Sequence, residues 1–85
     1  MKFRINIGEG RKSIRLSVER IHLDERTERF MVAGRNGSIV VESNRPLFRN
    51  KGLKHRRADW KQIEGQNLST HTIEKICAEI LRHLD

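Results

Sequence analysis

Eighty-five residues carry 18 Lys and Arg against 11 Asp and Glu, for a net charge of +7, with 35% apolar residues and one cysteine. A chain this long forms one small domain that buries roughly 60–65% of the surface its unfolded form exposes, and a lone cysteine excludes an internal disulfide. No apolar run reaches membrane-spanning length, and the first residues alternate where a signal peptide needs a continuous apolar core, so the cytoplasm is the expected location and no membrane partner is expected.

Residues 2–7 put Phe3, Ile5 and Ile7 on one side and Lys2, Arg4 and Asn6 on the other, the period of a half-buried strand. Gly8-Glu9-Gly10-Arg11-Lys12 reads as a turn. A second strand over 13–23 places Ile14, Leu16 and Val18 opposite Arg15 and Ser17, slips at Glu19-Arg20, and resumes with Ile21 and Leu23. One extra residue flips every later side chain, so the slip implies a β-bulge. Asp24-Glu25-Arg26-Thr27 makes the next turn.

Residues 28–34 and 38–43 form a hairpin. Phe30 and Val32 alternate with Arg29, Met31 and Ala33, and Ile39 and Val41 with Val40 and Glu42. Asn36-Gly37 between them suits a type I′ turn, because both residues tolerate positive φ. A last strand is expected over 57–64, with Ala58, Trp60 and Ile63 reaching inward. After the break at Gly65-Gln66-Asn67, Ser69 can cap a helix over 70–84, with Leu68 and Ile73 as a hydrophobic staple. Ile73, Ile76, Cys77, Ile80, Leu81 and Leu84 then draw one apolar stripe. The expected fold is α+β: a four- or five-stranded antiparallel meander with one C-terminal amphipathic helix on one face. Met31, Ala33 and Val40 point away from that helix.

The charge is concentrated. Residues 45–57 hold six of the Lys and Arg and no acid, while the rest of the chain has twelve bases against eleven acids. Pro46 and Gly52 bracket a short helical turn around 46–50. A cationic segment of this kind is the footprint of a polyanionic partner. Arg45, Arg49, Lys51, Lys54, His55, Arg56 and Arg57 are the candidate nucleic-acid contacts, with Lys2, Arg4 and Arg15 adding charge from the sheet. Phe48 is placed to stack on an unpaired base, whereas the single Trp60 reads as a core anchor.

Other chemistries fit poorly. His22, His55, His71, His83 and Cys77 lack zinc-ligand spacing, so no metal or cofactor is expected. Cys77 falls in the apolar stripe. Gly8-Glu9-Gly10 is not followed by the helix a dinucleotide loop needs, and no nucleophile elbow surrounds a serine. One helix excludes a helix-turn-helix, and the strands lack the paired aromatics of an RRM. The expected function is a non-enzymatic basic module contacting RNA or DNA through 45–57. The competing readings are a module whose loop docks an acidic protein or whose Met31/Ala33/Val40 face forms a homodimer, and, more remotely, a nuclease using His55.

Overall fold

Alternation decides which side of each strand faces the helix, and the computed structural model, which describes residues 1–35, 37–52 and 57–84, follows it closely. Strands β1 (Lys2–Glu9), β2 (Lys12–Leu23), β3 (Glu28–Gly34), β4 (Gly37–Ser43) and β5 (Trp60–Gly65) pair in chain order as one antiparallel sheet. A six-residue helix α1 (Arg45–Asn50) lies between β4 and β5, and α2 (Thr70–Leu84) follows β5. The α+β meander is as expected, with the strand number settled at five. Among the described residues no helix is long and apolar enough to cross a membrane.

The core lies between α2 and one sheet face. Ile5, Ile7, Val18, Phe30, Val32, Ile39 and Val41 are buried there against Ile76, Cys77 and Ile80, with Phe3, Leu16, Trp60, Leu68, Ile73 and Leu84 packed around them. Each fully buried Ile, Val or Phe among them contributes about 1.5–3 kcal/mol. Trp60 stacks on Phe30 with centroids 5.9 Å apart, and His83 on Phe3 at 4.0 Å. The Ser69 Oγ accepts the Thr72 N–H at 3.2 Å and the Ser69 carbonyl accepts that of Ile73 at 3.0 Å, so Ser69 caps α2 as expected.

Four expectations need correction. The register pairs Gly34 with Gly37, so Gly37 belongs to the strand and not to the turn; Asn36, the other residue of the expected type I′ turn, lies outside the described residues. The β2 bulge occurs one step later than the pattern implied, between Arg20 and His22, and turns Ile21 outward at 48% exposure; Leu23, at the end of the strand, is 53% exposed. The last strand starts at Trp60, not residue 57. A second bulge between Val40 and Val41 of the β4–β5 register makes Ile63 an extra residue, and alternation turns it away from the core.

Candidate nucleic-acid interface

The segment that leaves β4 is tied down at both ends and in the middle. The Asp59 N–H donates to Asn44 Oδ1 at 2.7 Å, Asn44 Nδ2 donates to Asp59 Oδ2 at 3.3 Å, and the Asn44 N–H reaches the Asp59 carbonyl at 3.3 Å. These three bonds clasp the segment shut. Because Asn44 is engaged in this way, its side chain does not cap α1. Pro46, buried in the first turn, fixes φ where no intrahelical N–H is needed. The helix ends when the Lys51 N–H bonds Leu47 O and the Gly52 N–H bonds Arg49 O, with Gly52 at φ +73.

Arg45 is not available to a ligand. Its Nε donates to Glu28 Oε2 at 2.7 Å and its Nη2 to Glu28 Oε1 at 3.2 Å. Glu28 is fully buried and Arg45 only 15% exposed at the side chain. Arg20 approaches the same carboxylate at 3.8 Å. The Arg45 N–H also donates to the buried Ser43 Oγ at 3.0 Å. The guanidinium that heads the basic segment in sequence therefore anchors α1 to the sheet, and the phosphate role expected of it is withdrawn.

The middle of the segment rests on the β2–β3 turn. Asn50 Nδ2 donates to the Glu25 carbonyl at 2.9 Å, and Glu25, Arg26, Leu47, Asn50 and Lys51 line an open groove of about 440 Å³. Asp24 shapes that turn. Its Oδ1 accepts the N–H groups of Arg26 and Thr27, both at 2.7 Å, and His22 Nε2 lies 2.8 Å from its Oδ2. The Thr27 N–H, then the His22 and Arg26 bonds, hold the Asp24 carboxyl well below the usual carboxylate range. Arg26 thus joins the groove from a turn that the sequence pattern marked only as a connection.

Arg49, Lys51 and Arg57 are exposed, and none makes an ion pair among the described residues. Lys54, His55 and Arg56 lie outside the described residues. Phe48 is half-buried on α1. Lys2, Arg4 and Arg15 are exposed, but on the far side of the sheet from α2 and on β1 and β2, two to three strands from β4. At about 4.8 Å per strand spacing they form a second basic area rather than an extension of the segment. Cys77 is buried in the core, and burial pushes its thiol up to about 12. Among the described residues no three His, Cys, Asp or Glu side chains group so as to hold a metal ion.

No family model matches the chain, and neither the curated proteins nor the solved structures gave a match.

Proposed function

We propose that the protein is a small non-enzymatic module that contacts nucleic acid, RNA or DNA, through the 45–57 segment. The observation that carries this reading is the segment itself: closed by the Asn44–Asp59 clasp, it presents Arg49, Lys51 and Arg57 to solvent with no ion pair among the described residues. Its own anchor, Glu28, is consumed by Arg45 and Arg20, and Asp59 by Asn44. Cations held on an anchored helix lose little entropy when they meet phosphates, and phosphate contact fixes position without reading sequence.

Binding should therefore weaken with salt. Three to five cations facing one backbone give a slope of log K against log salt of roughly −2 to −4, at about −0.7 to −0.9 per contact. Replacing Lys54, Arg56 and Arg57 together by Ser should flatten the slope by about two and weaken all sequences alike. Fluorescence anisotropy with short single- and double-stranded oligonucleotides at several salt concentrations measures both. No wild-type binding at low salt, or an unchanged slope in the triple variant, removes the reading.

A further inference from the structure

The sheet face turned away from α2 carries more apolar surface than strand alternation alone would give it. Met31, Ala33 and Val40 point there from β3 and β4, Met31 and Ala33 half-buried and Val40 already covered by its neighbours to 8% exposure. Both β-bulges add to them. Ile21 and His22 together oppose Arg29, and Ile63 and Glu64 together oppose Val40. Each extra residue is an isoleucine, and in each case the pleat sends it to the open face, the re-aiming that bulges are known for. Ile21, Met31, Val40 and Ile63 thus cross β2, β3, β4 and β5 as one band, with Ala33 beside it.

Charges of opposite sign rim the two ends of that band. In register, Lys2, Glu19, Met31, Val40 and Glu64 form one row across the sheet. Lys2 and Glu64 end the row on the two edge strands, both exposed and neither ion-paired among the described residues. We propose that a second copy of this chain covers the face, about a two-fold axis running along β3. That axis lays β1 of one copy over β5 of the other, so Lys2 of each meets Glu64 of its mate twice over. Met31 and Ala33 meet their own counterparts at the centre.

Other axes lose this match: a two-fold across the strands would set the basic edge over itself. Five strands about 4.8 Å apart and about 20 Å long offer close to 500 Å² per copy. The total of about 1,000 Å² is the lower limit for a specific interface, and it fits a micromolar dimer with aligned sheets rather than an obligate one. The proposal does not rest on nucleic-acid binding. It does place both copies of α1 at the same end of the dimer.

Sedimentation velocity from about 1 to about 200 µM covers the affinity such an interface carries. Wild type should pass from monomer to dimer over that range, and Ile21→Lys, a change at a half-exposed position, should stay monomeric with an unchanged circular dichroism spectrum. Lys2→Glu and Glu64→Lys should each weaken the dimer by about 5- to 30-fold, since two symmetric pairs are lost. Combining them rebuilds both pairs with the signs exchanged, and should restore the dimer. These exposed positions keep the test decisive even if Ile21→Lys misfolds. A wild type that is monomeric throughout overturns the proposal. A double variant no tighter than the single ones overturns it as well.

Discussion

Replacing Arg45 by Met tests the arrangement on which the whole 45–57 segment depends. Glu28 has no exposed surface and takes both of its short bonds, 2.7 and 3.2 Å, from Arg45. Without them, its nearest cation is Arg20 at 3.8 Å, beyond hydrogen-bonding distance. Breaking a buried pair from one side costs about 3–5 kcal/mol, because a charge is left without a partner. Arg20 can move in from a partly exposed position, so about 3 kcal/mol is expected. For an 85-residue domain with roughly 4–13 kcal/mol of total stability, that is a large share, equivalent to a fall in Tm of about 12–24 °C. Changing Glu28 and Arg45 together to Met removes both charges and should recover most of the loss. Arg45→Lys keeps the charge but not the fork, and should fall between. Urea and thermal melts followed by circular dichroism measure all three. An Arg45→Met variant within about 1 kcal/mol of wild type would show that the pair does not hold α1 in solution, and would return Arg45 to the list of ligand contacts.

Gly65→Ala should destabilise more than Gly37→Val in urea melts. Both glycines have positive φ, +101 and +138, which costs a side chain about 1–3 kcal/mol, but only at Gly65 would a Cβ collide with backbone, 2.6 Å from Ser38 O; equal losses would mean that the β4–β5 register is wrong. Cys77 should resist Ellman's reagent in the native state and react once urea is added, since its thiol is both buried and raised to about 12. Asp24 has a folded pKa below its unfolded value, so its stabilising effect is complete above about pH 4 and is lost as pH falls further. Asp24→Ala should accordingly reduce stability at pH 7 and lose less than wild type between pH 4 and pH 2; parallel pH profiles would refute the assigned bonds.

Much of this architecture could be read from period alone. Phe3, Ile5 and Ile7, Phe30 and Val32, and the stripe from Ile73 to Leu84 each mark their element because burial on one face imposes a period of two or 3.6. The bulges broke the reading at Ile21 and Ile63: an extra residue adds one apolar side chain to the count without revealing which face receives it. Glu28 was the other loss. It shares the inward parity of Phe30 and Val32, and an acid in that phase needs a buried partner. The signal was present in β3, but the partner, Arg45, comes from beyond β4 and was masked by its basic neighbours. For the same reason the segment's charge was visible in the sequence while the division between anchoring and exposed cations was not.

The helix that closes the core packs mainly on β1, the first strand, and less on β5, which precedes it. Every strand pairing in the sheet joins sequence neighbours; the first three hairpins close only short loops, while β4–β5 closes across the longer connection that holds α1, and such local topologies fold fast. Docking α2 on β1 is different in kind, since it must bring together segments from opposite extremes of the described chain. The Phe3–His83 stack, at 4.0 Å, lies across that junction. The docking of α2 is then expected to come late in folding, and β1 and α2 should open together as a single unit. In native-state hydrogen exchange their amides should share one opening free energy, below that of the β3–β4 hairpin at the centre of the sheet.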